Sequence, residues 1–265
     1  MAELHIQIQR GVLSRNATVV DAAFQRAWSN VRVSPPNGGC NHEGCLTDGI
    51  QADRSHHQHG AQLLSGSYGE YAAKETVVFL GLANGTRFFM EGPELALLVE
   101  LLLDGDRWMM VHEYYWQWSV VGRAMTDSIA RPASGLGGFL AHIPSNRSLE
   151  LQQFAASMAG GERAGAGLRG HRAFWCSDYA VQSSQSPLDG AAWVATLMMH
   201  SNRTTAAACV NGQGGMNEHV GDGMMYLFYN GTEYDGIFES WRWNRLPGIT
   251  AELIPVANCS YGAWP

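Results

Sequence analysis

The spacing of apolar residues changes between residues 160 and 170, and this change constrains the fold more than any other feature. Before it, apolar side chains recur about every 3.6 residues, which is typical of amphipathic helices. Helices are predicted over residues 3–31, 61–82, 93–103 and 148–158. Ser14 and Asn16 are candidate caps that divide the first range into two helices.

Beyond the change, short runs of apolar, aromatic and β-branched residues alternate with turn signals, a pattern that indicates strands. Strands are predicted over residues 173–181, 191–200, 204–210 and 224–229. Helices first and strands afterwards favour an α+β fold with segregated parts over an alternating α/β fold. We place a helical part at residues 1–165 and a β part at residues 166–265.

The composition excludes several classes of partner. A net charge of -7 argues against non-specific nucleic-acid binding. No apolar run approaches the roughly 20 residues that a membrane span needs, and the N-terminus lacks the pattern of a signal peptide. Asn-x-Ser/Thr triplets nevertheless point to a secretory route; they begin at Asn16, Asn84, Asn146, Asn202, Asn230 and Asn258. We expect a monomer.

Polar titratable groups are densest in the segment from 48 to 69, which carries three histidines and Tyr68. The predicted loop that leads to His59 is about two dozen residues long, and loops of that length are usually functional or disordered. His57 and His59, with Cys40 or Cys45, could supply metal ligands. Because no CxxC or HExxH spacing is present, we do not favour a metal site.

Tyr68 is a candidate acid/base group. A phenol needs a cationic neighbour to act as a base near neutral pH, and Arg123 could provide one. The alternative is an ordinary buried tyrosine and a surface arginine. Residues 211–219 are rich in amides and glycine and form either a simple loop or a third patch shared between the α and β parts.

The motifs, taken in order, resemble polysaccharide lyase family 8, the hyaluronate, chondroitin AC and xanthan lyases. The helical part matches at Gly49-Ile-Gln-Ala-Asp-Arg-Ser…Gln58-His59…Tyr68-Gly69 and at Val120-Val-Gly-Arg123. The β part matches at Phe174-Trp-x-Ser-Asp178-Tyr, Ser201-Asn-Arg-Thr204, Gly221-Asp-Gly223 and Trp241-x-Trp-x-Arg-Leu-Pro-Gly248. The resemblance implies the C-terminal part of an incomplete α/α toroid followed by the start of an antiparallel β-sandwich domain. It also implies a chain truncated at both ends.

The resemblance further implies β-elimination on a uronic-acid-containing polysaccharide, with no cofactor and in an extracellular location. Tyr68 would be the base and the acid, Arg123 would stabilise its phenolate, and His59 would polarise the uronate. A rival assignment makes His59 the base. The implied substrate-binding residues are Gln58, Asp127, Arg131, Asn211, Gln213 and Glu218.

Three departures from the family pattern keep other functions open. The family's carboxylate-binding asparagine would fall before Met1. Asp127 stands where the family has a second arginine, for which Arg131 substitutes only if the backbone bulges. Gln213 replaces a glutamate, and Glu218 is out of register. The alternatives to a lyase are a catalytically impaired protein that binds acidic glycans and a metal-binding domain built on Cys40, Cys45 and the histidines.

Overall fold

Six helices lie before residue 161, and a four-stranded antiparallel sheet follows in the described residues of the computed structural model. The structure describes residues 2–35, 40–41, 44–45, 48–127, 129–160, 167–184, 192–206 and 217–251. The helices are α1 (Ala2–Leu13), α2 (Ala17–Trp28), α3 (Glu70–Ala83), α4 (Gly92–Glu100), α5 (Gly137–Leu140) and α6 (Ser148–Gly160). The segregated mixture of helices and antiparallel strands confirms the coarse α+β prediction. The two-domain division stays a prediction.

The short strands between the helices pair only locally. They are β1 (Cys40–Asn41), β2 (Gly44–Cys45), β3 (Gly49–Ile50), β4 (His56–His57), β5 (Met110–Val111), β6 (Tyr115–Trp116) and β7 (Arg131–Pro132). Strand β1 pairs with β2, β3 with β4, and β6 lies between β5 and β7, all antiparallel. The aromatic region 107–121 holds two of these short strands, β5 and β6.

The predicted helical pair at the N-terminus is confirmed, and so is its cap. The Asn16 side chain accepts hydrogen bonds from the backbone N–H groups of Thr18 at 3.1 Å and Val19 at 3.3 Å. These bonds satisfy two donors that a helix start leaves open. At Gly11, a β-carbon would lie 2.6 Å from Cγ2 of Val20, so glycine lets α1 approach α2 closely.

The predicted start of the next helix, at residue 61, is wrong. Helix α3 begins at Glu70 after a π-helical turn, Ser65–Gly69. The preceding Leu63 and Leu64 are buried and are not helical. Leu63 instead forms a β-bridge with His57, and the N–H of Leu64 donates to the carbonyl of His56 at 2.9 Å. Tertiary pairing therefore overrides the local helical periodicity here. The helices predicted over 93–103 and 148–158 are confirmed as α4, with a π-helical extension over Leu101–Gly105, and α6.

The four-stranded sheet contains β8 (Arg169–Phe174), β9 (Tyr179–Ser184), β10 (Trp193–Met199) and β11 (Asp222–Phe228), in that order. Two predicted strands, at 191–200 and 224–229, correspond to β10 and β11. The single strand predicted over 173–181 is wrong, because a turn at residues 175–178 splits it into β8 and β9. Of the strand predicted at 204–210, the described residues 204–206 make only an isolated bridge, between Thr205 and Gln62. Residues 207–210 lie outside the described residues.

One face of the sheet packs against the helical part. Tyr179 is fully buried, and its hydroxyl donates a hydrogen bond to Oε1 of Gln117. The rings of Trp118 and Phe238 pack edge to face with centroids 4.5 Å apart. The two parts are therefore joined through buried side chains. Within the described residues, no helix is both long enough and apolar enough to cross a membrane.

Candidate active site

Asp48 closes the histidine loop, residues 48–60, which carries Gln58 and His59. Its carboxylate accepts hydrogen bonds from Nε2 of Gln58 at 2.7 Å and from the backbone N–H of Gly60 at 3.0 Å. His59, between these two, adopts a left-handed backbone conformation with φ +60° and has an exposed side chain. A non-glycine residue rarely adopts such a backbone, and surrounding contacts must hold it there. The Asp48 bonds do so and present the imidazole to solvent.

A chain of buried hydrogen bonds ties the same loop to the sheet. Nε2 of His57 contacts Oγ of Ser177 at 2.7 Å, Ser177 donates to Oγ of Ser55 at 2.7 Å, and Ser55 donates to Asp53 at 2.6 Å. The other carboxylate oxygen of Asp53 accepts from the backbone N–H of Cys176 at 2.6 Å. Ser177 uses its one hydroxyl proton to donate to Ser55, so it must accept a hydrogen bond from His57. His57 therefore carries its proton on Nε2. The histidine loop therefore has a fixed position relative to the β8–β9 turn.

His59 and Tyr68 meet at the surface. Their rings pack edge to face, with centroids 4.9 Å apart and an interplanar angle of 86°. Tyr68 is 40% exposed, so its hydroxyl is accessible to a ligand. It lies in the π-helical turn, where Gly66 allows close packing: a β-carbon there would lie 2.9 Å from Val121. The turn thus places a phenol beside an imidazole, as the motif predicted.

A cavity of about 400 Å³ opens beside Tyr68. It is lined by Leu64, Ser67, Tyr68, Tyr71, Val121, Arg123, Ala124 and Arg131. Three predicted site residues, Tyr68, Arg123 and Arg131, therefore border one space. Gly122, with φ +59°, passes close to Leu64 and turns the chain toward the cavity. Arg131 reaches it from β7, which pairs with β6. Two guanidinium groups beside a phenol and apolar walls suit an anionic sugar.

Two carboxyl groups next to the π-helical turn that carries Tyr68 were missed by sequence reasoning. Burial raises the pKa of Glu70, an effect partly offset by the nearby indole N–H of Trp116 and by the charges of Arg131 and Lys74. Burial and the charge of Glu70 raise the pKa of Asp106 well above its usual value. Glu70 follows Tyr68 by two residues, which was a usable signal. Asp106 gave none, because its burial depends on tertiary packing.

His56 and His57 are buried and uncharged near neutral pH. Burial and the neighbouring His57 lower the pKa of His56 to about 4, and burial lowers that of His57 to about 4 against the charges of Asp53 and Asp178. The described part of the chain contains no group of three or more His, Cys, Asp or Glu side chains that could hold a metal. The side chains of Cys40 and Cys45 lie outside that part.

Four predicted substrate-binding residues cannot be placed at the cavity from the described atoms. Asn211 and Gln213 lie outside the described residues. Asp127 ends a 3-10 helix, Gly122–Asp127, and Glu218 begins another, Glu218–Gly221, but their side chains also lie outside what is described. Gln58 lies in the histidine loop and is held by Asp48.

The chain is similar to known polysaccharide lyases in sequence and in structure. Residues 169–261 match the family model described as polysaccharide lyase family 8, super-sandwich domain. The chondroitinase-AC of Pedobacter heparinus is 25% identical over 209 residues, which cover 77% of this chain and 29% of that protein. This chain thus spans less than a third of the curated relative.

Solved structures share the fold over nearly the whole chain. A chondroitinase AC lyase studied as oligosaccharide complexes has a TM-score of 0.79 at 21% identity, covering 98% of this chain and 37% of that one. The Streptomyces coelicolor A3 chondroitin AC lyase with chondroitin sulphate has a TM-score of 0.72 at 23% identity, covering 96% of this chain and 38% of that one. A Paenibacillus xanthan lyase has a TM-score of 0.75 at 17% identity, covering 98% of this chain and 27% of that one.

Nearly the whole chain shares the fold of solved polysaccharide lyases, and residues 169–261 match the super-sandwich domain of the family. The family match, the curated relative and the solved structures agree on polysaccharide lyase family 8. This agreement confirms the resemblance that the ordered motifs predicted.

Proposed function

We propose that this chain carries the catalytic centre of a lyase that cleaves a uronic-acid-containing polysaccharide by β-elimination and leaves an unsaturated uronate. The observation that carries the proposal is the single cavity bordered by Tyr68, Arg123 and Arg131, with His59 packed on Tyr68. In this proposal the helices are the C-terminal part of an α/α toroid, and the sheet begins a β-sandwich. The protein is monomeric and extracellular.

The reaction needs the charges that the cavity supplies. The C5 proton of a uronate lies next to a carboxylate, so its removal builds up negative charge that must be stabilised where it develops. Arg123 and Arg131 border the same cavity as Tyr68 and neutralise the uronate carboxylate, because a nearby cation stabilises an anion. Tyr68 takes the C5 proton and returns a proton to the leaving glycosidic oxygen. His59 orients and polarises the uronate.

Arg131 answers the departure at Asp127. Asp127 occupies the sequence position of the family's second arginine, and loss of a charge-stabilising donor can lower a rate by about 10²–10³. Arg131 borders the same cavity as Arg123, although it comes from a strand four residues further along the chain. It therefore supplies a second guanidinium group by another route.

Chondroitin is the first substrate to test. Identity to the chondroitin AC lyases is 21–25%, against 17% for the xanthan lyase. The protein is incubated with chondroitin, hyaluronan and xanthan, and the ultraviolet absorbance of the unsaturated uronate is followed. Tyr68→Phe removes only the hydroxyl and should lower kcat by roughly 10²–10⁴. Tyr229→Phe, at another exposed tyrosine, is the matched control and should leave the rate unchanged.

The variant His59→Gln separates the two possible bases. If Tyr68 is the base, His59→Gln mainly raises KM, whereas Tyr68→Phe lowers kcat by roughly 10²–10⁴. If His59 is the base, its loss is the larger one. A Tyr68→Phe protein with the wild-type rate on every substrate would overturn the proposal.

The second candidate is a protein that binds acidic glycans and barely turns them over. The replacement of a family glutamate by Gln213, together with Asp127, favours it. Retention on immobilised chondroitin that survives Tyr68→Phe, without any unsaturated product from the wild type, would support binding over catalysis.

A further inference from the structure

Asn-x-Ser/Thr triplets are several times more frequent in this chain than chance predicts. The chain has 12 asparagines, and 29 of its 265 residues are serine or threonine. With these residues at about one position in nine, chance gives one or two triplets. Six occur, and none has proline in the middle. This excess is independent of the lyase motifs, because it concerns the acceptor pattern for N-linked glycans.

The structure places all five described triplet asparagines outside helices and strands. Four are exposed and Asn230 is half-buried; the five are Asn16, Asn84, Asn146, Asn202 and Asn230. Asn217, which begins no triplet, is fully buried. A glycan is bulky and hydrated, so it is tolerated only where the asparagine side chain reaches solvent.

Asn84 and Asn146 are exposed, whereas the side chain of Asn16, another exposed triplet asparagine, is engaged in capping α2. Asn84 follows α3 directly, and a β-carbon at the next residue, Gly85, would meet nothing within 4 Å. Asn146 lies in the turn before α6. The hydroxyl in the Asn202 triplet, from Thr204, donates to half-buried Asp178 at 2.7 Å, on the β8–β9 turn. The hydroxyl in the Asn84 triplet, from Thr86, donates only within its own turn, to the carbonyl of Ala83 at 2.7 Å.

A glycan at Asn84 leaves the cavity open. Helix α3 has 14 residues and begins beside Tyr68, so its far end is about 20 Å from the cavity at 1.5 Å per residue. Neither Asn84 nor Asn146 lines the cavity. Modification there is therefore compatible with a long polysaccharide bound across Tyr68 and Arg123.

We propose that the chain carries N-linked glycans at exposed turn asparagines, with Asn84 and Asn146 as the principal acceptors. The donor is an oligosaccharide linked to a lipid diphosphate. The Nδ2 nitrogen forms a bond to C1 of the first sugar, the C1–O bond to the diphosphate breaks, and Nδ2 loses one proton as the lipid diphosphate leaves. This transfer takes place in a secretory lumen, in agreement with the proposed extracellular location.

The test uses the protein purified from its source organism. The protein is digested to peptides. An amidase then removes their N-glycans in water enriched in heavy oxygen, which converts each glycosylated asparagine to labelled aspartate. Label at Asn84 or Asn146 that a parallel sample without the amidase does not acquire supports the proposal, and the peptide containing Asn217 is the internal control that stays unlabelled. Recovery of the Asn84 and Asn146 peptides as unmodified asparagine before amidase treatment, without glycopeptide counterparts, would overturn it. Label confined to other triplets would overturn the choice of sites.

Discussion

Asp53→Asn should destabilise the folded chain strongly, because it removes an acceptor from a buried junction between the histidine loop and the sheet. Asp53 is only 1% exposed. It accepts hydrogen bonds from the backbone N–H of Ser55 at 3.0 Å, from Oγ of Ser55 at 2.6 Å and from the backbone N–H of Cys176 at 2.6 Å. Asparagine keeps the shape but replaces one acceptor oxygen with an NH₂ donor. That donor must face another donor, from Ser55 or from Cys176.

The expected loss follows from these contacts. A hydrogen bond to a charged group contributes about 1.5–3 kcal/mol, and a buried donor left without an acceptor costs about 1–3 kcal/mol. Asp53→Asn incurs both, so the free energy of unfolding should fall by roughly 3–5 kcal/mol. That is a large share of the roughly 5–15 kcal/mol by which folded domains are stable. At about 2–4 °C per kcal/mol, Tm should drop by roughly 10 °C.

Urea denaturation followed by tryptophan fluorescence measures this change. The midpoint should move with the slope unchanged, which identifies a change in stability and not in the denatured state. Glu91→Gln, at an exposed carboxylate, is the matched control and should change stability by less than about 0.5 kcal/mol. Amide hydrogen exchange at Cys176 should accelerate in the Asp53 variant. If Asp53→Asn costs no more than the control, the junction is not a stabilising contact.

Two further predictions concern the backbone beside the cavity and the buried histidines. Gly122→Ala places a β-carbon 2.3 Å from Leu64, at a position where the backbone φ is +59°. The backbone must move to relieve this clash, so Arg123 should shift and kcat should fall about 10²-fold. Gly138→Ala, where an added β-carbon meets nothing within 4 Å, should keep full activity, and equal rates for both variants would contradict the geometry. The pKa values of His56 and His57 are lowered to about 4 from 6.5, so the unfolded chain binds more protons between these values and stability should fall by roughly 3 kcal/mol per histidine as pH drops from 6.5 to 4. Between pH 6.5 and pH 5 the expected loss is roughly 2 kcal/mol per histidine. Urea midpoints at pH 7 and pH 5 measure it, and a midpoint that does not change would refute the prediction.

Local signals in the sequence were sufficient for the helices that depend on local interactions. The Asn16 cap and the apolar stripe of α2 are properties of neighbouring residues, and both were predicted. The start of α3 was missed because Leu63 and Leu64 are held by bonds to the histidine strand, β4, and not by their own helix. The turn at 175–178 was missed because it lies between two aromatic residues that read as one continuous strand.

The cavity was predictable only in part. The motifs indicated Tyr68, Arg123 and Arg131 as site residues, and these three residues border one cavity. The sequence did not indicate Glu70 and Asp106, because the pKa of a carboxyl group is raised only when packing removes it from water. Sequence reasoning therefore found the groups that a motif records and missed those that the surrounding fold creates.

The β-part motifs bear on the site although they do not line the cavity. Asp178 accepts hydrogen bonds from Ser201 at 2.6 Å and Thr204 at 2.7 Å, which fixes the segment after β10 on the β8–β9 turn. The next residue, Thr205, donates from its backbone N–H to the carbonyl of Ala61 at 2.9 Å, two residues after His59. The β part therefore contacts the histidine loop at two places: Ser177 bonds to Ser55 and His57 within it, and Thr205 bonds to Ala61 directly after it. The geometry of His59 and Tyr68 therefore depends on the β part, and a helical fragment without that part would lose the support for the pair.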